Sequence, residues 1–178
     1  MISRRGFIRG LLGAALYIGA SGPFARAEND AGQTIRMYNT HTREYISMAH
    51  RDARGYIPEA LESINHFLRC HYNNEVHPID PALIDLLCKV DREYGGGNVL
   101  QVISGYRSPA YNAILAHNSS GVAGSSLHMK GQAIDFTIPG TLNRDLFRTV
   151  RSLEAGGAGI YPKFVHMDTG RVRYWGSV

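Results

Sequence analysis

Cysteine is scarce in this 178-residue chain, with only Cys70 and Cys88. They do not form the closely spaced pairs that hold zinc through thiolates, so thiolate ligation is excluded. A disulfide in an oxidising compartment and two buried thiols both stay open. No run of about 20 apolar residues, the length that spans a bilayer, occurs. The most apolar stretch, Gly10 to Gly22, is weakly hydrophobic and contains four glycines. Repeats and low-complexity tracts are absent. Surplus charge is confined to residues 1–27, which hold Arg4, Arg5, Arg9 and Arg26 and no acid; this leaves 15 of the 19 basic side chains against 15 acidic ones. A strongly basic domain, the footprint of a nucleic-acid binder, is therefore missing, and no nucleic-acid partner is expected.

What is present begins with those first 27 residues. Arg4-Arg5, the hydrophobic stretch behind them and the small-x-small sequence Ala25-Arg26-Ala27 read as a twin-arginine export signal. Export implies the periplasm, with a membrane tether if the signal is not cleaved. Residues 28–178 suit one domain, large enough to bury a core without disulfides, and a monomer is expected.

Along that domain, Thr34 to Asn39 and Arg43 to Met48 alternate around Thr40-His41-Thr42, which predicts a β-hairpin. Pro58 followed by Ala60, Leu61, Ile64, Phe67 and Leu68 at helical spacing predicts a helix over 58–70. Asp80-Pro81 opens a second helix that stops at Gly95-Gly96-Gly97. Val99 to Ser104 reads as a buried strand leading into Gly105-Tyr106-Arg107-Ser108-Pro109 and a short helix. Asn118 to Ser125 is small and polar, suited to a loop bordering a cleft. Leu142 to Leu153 is helical, and Gly156-Gly157 ends it before a strand bearing His166. Strands and helices do not alternate regularly, so the fold class is α+β.

One stretch carries chemistry. His128 and Asp135 lie seven positions apart across a turn at Gly131, and period-two alternation over 133–138 sets Ile134, Phe136 and Ile138 opposite Asp135 and Thr137. Imidazole nitrogen and carboxylate oxygen are common zinc ligands, and catalytic zinc sites usually take three protein ligands. The third comes from Phe164-Val165-His166-Met167-Asp168, where alternation puts His166 and Asp168 on one face. The other histidines, at 41, 50, 66, 71, 77 and 117, read as polar or packing residues.

The words Ser104-Gly105-Tyr106-Arg107-Ser108-Pro109, Ser126 to Asp135 and Val165-His166-Met167-Asp168 resemble the zinc D-Ala-D-Ala peptidase superfamily. That superfamily shares its site with lysostaphin-type peptidases and the hedgehog signalling domain. Similarity to its murein endopeptidase K branch extends over nearly all of residues 28–178. The resemblance implies a small antiparallel sheet with peripheral helices, a hedgehog/DD-peptidase-like fold, and zinc in a groove across the sheet. It implies that His128, Asp135 and His166 are the metal ligands and that Arg107 contacts substrate, with Ser104 and Ser126 lining the groove. Many members carry a glutamate base three residues before the last histidine; here that position is Lys163. Asp168, sharing the face of His166, becomes the candidate for activating water, the alternative being that it orients His166. Tyr174 and Trp175 are expected in the core. The reading is an exported zinc metallopeptidase acting on peptide cross-links of peptidoglycan. The rivals are a D-Ala carboxypeptidase or dipeptidase and, because of Lys163, a non-catalytic zinc-containing cell-wall binding module.

Overall fold

The computed structural model describes residues 34–119 and 123–176. Residues 1–27, read above as an export signal, and the middle of the 118–125 loop lie outside the described residues. Nine strands and four helices follow in the order β1 (Thr34–Asn39), β2 (Tyr45–Ala49), β3 (Arg51–Asp52), β4 (Gly55–Tyr56), α1 (Pro58–Phe67), α2 (Pro81–Glu93), β5 (Leu100–Ser104), α3 (Pro109–Asn118), β6 (Ala133–Thr137), α4 (Asn143–Ser152), β7 (Gly157–Ile160), β8 (Val165–Asp168) and β9 (Arg173–Trp175). A single 3₁₀ turn, Leu127–Lys130, precedes β6. The fold is α+β, as expected.

Three of the four helix starts have a local cause in the sequence. Proline, which fits the first turn because its missing N–H has no partner there, opens α1, α2 and α3. Asp80 caps α2 through Ala82 N and Ser108 caps α3 through Tyr111 N. In β1, Ile35, Met37 and Asn39 alternate inward. Ile35 and Met37 meet the apolar stripe of α2 (Leu83, Ile84, Leu87, Val90) and the inner residues of β5 and β6 in one core.

The sheet corrects one expectation. Instead of a small antiparallel sheet, seven strands in the order β2-β1-β5-β6-β8-β7-β9 form a mixed one, with β3 and β4 a separate hairpin. The parallel pairs are β1 with β5 and β7 with β9. Strands β3, β4, β7 and β9 had no sequence expectation. Cys70 and Cys88 are both buried and not joined by a disulfide. Among the described residues no helix is long and apolar enough to cross a membrane.

Candidate metal centre

The site is a row across the middle of the sheet. Ser104 on β5 pairs with Asp135 on β6, Asp135 with His166 on β8, His166 with Gly159 on β7, and Gly159 with Trp175 on β9. A register shift between Val102 and Ser104 lies at the start of this row; such bulges re-aim side chains next to sites. His128 enters from the 3₁₀ turn, where its N–H is capped by Ser126 Oγ. Its carbonyl accepts from Arg107 N at 3.2 Å, binding the turn to the end of β5.

Proton placement decides what the three side chains can do. His128 Nδ1 lies 2.7 Å from the Gly105 carbonyl, which can only accept, so this nitrogen carries the proton and Nε2 offers a lone pair. His166 Nε2 lies 2.9 Å from Asp168 Oδ2, which fixes the other tautomer and leaves Nδ1 as the lone pair. Those two nitrogens and Asp135 Oδ1 form a triangle with edges of 2.8, 3.2 and 3.3 Å. Three acceptors cannot satisfy one another. Ligands about 2.0 to 2.2 Å from one tetrahedral ion stand roughly 3.3 to 3.6 Å apart, so the cluster fits a cation with a few tenths of an ångström of expansion. Among the described residues this is the one group of three or more His, Cys, Asp or Glu that could hold a metal ion, and all three are buried.

Without a cation, a proton must do the same work. Burial pushes the His128 imidazole down, and the Asp135 charge opposes this only in part. Burial also acts against charging His166, but hydrogen bonds to Asp135 and Asp168 outweigh it and raise the imidazole above its ordinary value. Burial would lift the Asp135 carboxyl, yet the two histidines hold it well below the usual carboxylate range.

Asp168 was expected beside the metal water. It instead lies behind His166, fully buried, with both oxygens engaged. Oδ1 accepts from Gly157 N, Gly170 N and Arg173 Nη1 at 2.9 to 3.0 Å, and Oδ2 from His166 Nε2 and Arg173 Nη2 at 2.9 and 2.7 Å. Burial opposes its ionisation, but these donors hold it well below the usual carboxylate range.

Two glycines of β7 let these contacts form. A Cβ on Gly157 would lie 2.4 Å from Asp168 Oδ2 and 2.5 Å from Arg173 Nη1, and one on Gly159 would lie 2.4 Å from the Trp175 ring. With no side chains there, β9 reaches across β7 to touch β8: Arg173 meets Asp168, and the Trp175 ring lies 5.1 Å from that of His166.

A cleft of about 460 Å³ opens over the row. Its lining includes the buried His128, Asp135 and His166 with Arg107, together with Ser126, Leu127, Tyr161, Phe164, Arg173 and Trp175. Arg107 donates from Nε to Ser104 Oγ at 2.8 Å and from Nη2 to Asp135 Oδ2, so Ser104 supports Arg107 and does not line the cleft itself. Lys163 is exposed and outside the lining, and His117 is exposed and outside the metal group. Trp175, expected in the core, is a half-buried cleft wall, and Tyr174 is exposed. Arg173 and Tyr161 were not singled out from sequence, although both flank the strand of His166.

Comparison with known proteins agrees with this geometry. Residues 27–175 match the family model described as peptidoglycan L,D-endopeptidase MepK. The chain is 41% identical over 166 residues to peptidoglycan L,D-endopeptidase MepK of Escherichia coli K12, covering 92% of this chain and 90% of the relative. It is 38% identical over 143 residues to the probable peptidoglycan L,D-endopeptidase MepK of Haemophilus influenzae, covering 79% and 77%. No solved structure matches the chain. With a family match running from residue 27 to 175 and the buried His-Asp-His cluster at the centre of it, the chain belongs to the peptidoglycan L,D-endopeptidase MepK family.

Proposed function

We infer that this protein is an exported zinc endopeptidase that hydrolyses peptide cross-links of peptidoglycan. The observation that carries the reading is the triangle of three proton-free ligand atoms, from His128, Asp135 and His166, on the floor of an open cleft. Two imidazoles and one carboxylate are a zinc-type donor set. When bound, zinc supplies Lewis acidity toward a carbonyl and lowers the pKa of water toward about 7. The relatives' name gives the substrate class, and a cleft of about 460 Å³ over the ligand row is compatible with a peptide substrate.

The protein's own groups divide the remaining work. Gly105 and Asp168 fix the imidazole tautomers, so both ligand lone pairs face inward before any ion arrives. Asp168 acts through His166 and not on water, because five donors already occupy its oxygens. Arg107 turns Asp135 and presents its remaining N–H groups to a substrate carbonyl or carboxylate. Ser126 lines the cleft and caps the turn that carries His128.

The finer fold assignment, hedgehog/DD-peptidase-like, belongs to the same proposal, supported by the ligand spacing. So do the domain boundary and periplasmic location: the family match begins at residue 27, where the export-signal reading ends.

Zinc-loaded protein spanning residues 28–178 is expected to convert cross-linked dimeric muropeptides to monomers and to stop on addition of chelator. Release of D-alanine from uncross-linked pentapeptides with dimers left whole would move the assignment to a carboxypeptidase. Binding to peptidoglycan with no cleavage of either substrate would make the domain a binding module.

A further inference from the structure

Besides Arg107, the cleft presents a neutral donor whose oxygen is held in place, the Tyr161 hydroxyl. Tyr161 sits in the turn between β7 and β8, and its N–H donates to the Phe164 carbonyl at 3.0 Å. Its ring stacks on that of Phe164 with centroids 4.6 Å apart. Trp175 Nε1–H donates to the Tyr161 hydroxyl oxygen at 2.9 Å. An indole nitrogen can only donate, so the phenol oxygen is the acceptor in that bond and its own proton points elsewhere. Among the described residues no acceptor takes it.

The phenol is therefore held at two points. Its ring is fixed by Phe164 and its oxygen by Trp175; Trp175 in turn is fixed between His166 and the Arg173 guanidinium, 5.0 Å above the indole ring. Gly159 is the condition for this, since any side chain there would displace the indole. The free O–H belongs to a residue lining the same cleft as the ligand triangle. Arg107, anchored through Nε to Ser104 and Nη2 to Asp135, is the charged donor of the same cleft, and Tyr161 adds a neutral one. Lys163, where a charged catalytic group was sought, faces solvent.

Amide hydrolysis concentrates negative charge on the scissile carbonyl oxygen as the carbon becomes tetrahedral. Donors fixed beforehand at that position lower the barrier more than they strengthen substrate binding, because they meet full charge only in the transition state. We propose that Tyr161 is a catalytic residue whose O–H donates to the scissile carbonyl oxygen as it gains charge, with Trp175 positioning the hydroxyl. No proton is transferred; the bond is a hydrogen bond that shortens as the charge develops. This role rests on the endopeptidase reading, which it deepens.

Tyr161→Phe removes the hydroxyl and keeps the ring that stacks on Phe164. On dimeric muropeptides with zinc-loaded protein, kcat is expected to fall about 100-fold, the usual loss for one such donor, with KM within about twofold. A phosphinate isostere of the cross-link, whose tetrahedral phosphorus carries the charged oxygens, should lose about the same factor in affinity by calorimetry, with metal content and Tm unchanged. Trp175→Phe, which keeps an aromatic ring against His166 but removes the N–H, should lower kcat about tenfold. Wild-type kcat in Tyr161→Phe, or a loss confined to KM with phosphinate affinity intact, overturns the assignment. The two readings fail separately. Dimers left uncut by wild-type protein would defeat the endopeptidase reading, and the phosphinate titration, which needs no turnover, would still decide the role of Tyr161.

Discussion

His166 is gripped at both ring nitrogens, and the grip on Nε2 extends outward through Asp168 to Arg173. Metal-ligating histidines commonly donate their second N–H to a carboxylate, and loss of that partner costs about 10- to 100-fold in metal affinity. Asp168→Asn keeps the size of the side chain but halves its acceptors and removes its charge. Zinc affinity, measured by competition against a chromophoric chelator, is expected to fall by that factor, while Asp135→Ala should abolish binding. Were Asp168 the base acting on water, the Asn variant would hold zinc as tightly as wild type and lose only turnover. Sequence alternation correctly put His166 and Asp168 on one strand face, but period two says nothing of whether a neighbour stands beside a ligand or behind it. That distinction is made by Gly157, Gly170 and Arg173, whose donors draw the carboxylate away from the cleft.

Elements with strong periodicity were legible: the first hairpin, α1, α2 and α4 all lie within a few residues of their expected positions. Strand β7 was not, because Gly157-Ala158-Gly159 has neither alternation nor β-branched residues and all four of its positions are buried. Its glycines read as the end of α4, while their purpose is set by β8 and β9, distant in neither space nor sequence but invisible to a local pattern. The 3–4 hairpin was missed for a similar reason, since two-residue strands carry no period. What holds that hairpin is a clasp on α2: Asp85 accepts from His50 Nε2 and Tyr56 Oη, both at 2.6 Å, and from Arg51 Nη1 at 3.3 Å. Burial acts to raise the Asp85 carboxyl, but His50 and Tyr56 outweigh it and the net displacement is downward. In return, hydrogen bonding to Asp85 pushes the Tyr56 phenol up to about 12. A carboxyl lowered on folding stabilises the protein above its unfolded pKa, and that contribution is lost as pH falls through the folded value. Asp85→Asn is thus expected to cost about 1–3 kcal/mol at pH 6 to 7, and the gap from wild type should close below about pH 4. Urea melts of both proteins across that range check the sign. A gap independent of pH would mean that the clasp works by packing alone.

At the scale of the molecule, the sequence words around His128, Asp135 and His166 pointed to residues that the fold brings into one buried group, while the mixed topology of the sheet was beyond reach. Parallel pairing of β1 with β5 and of β7 with β9 depends on crossovers that no local signal encodes. The export proposal is tested on the whole chain. A twin-arginine pair is an address read by a receptor and not a mere positive charge, so Arg4→Lys with Arg5→Lys should leave precursor inside the cell. Normal processing of that variant would point to the general secretory route instead. The reach of β9 across the glycines of β7 has a consequence for the order in which the protein is made. Synthesis runs from the N-terminus, and α1, α2, β5 and the three ligands all precede β9 along the chain. His166 precedes Arg173 by only seven residues, so the third ligand and the strand that walls the cleft leave the ribosome together. In a hydrolase of this design the ligand triangle and the cleft wall are thus completed in one late folding step.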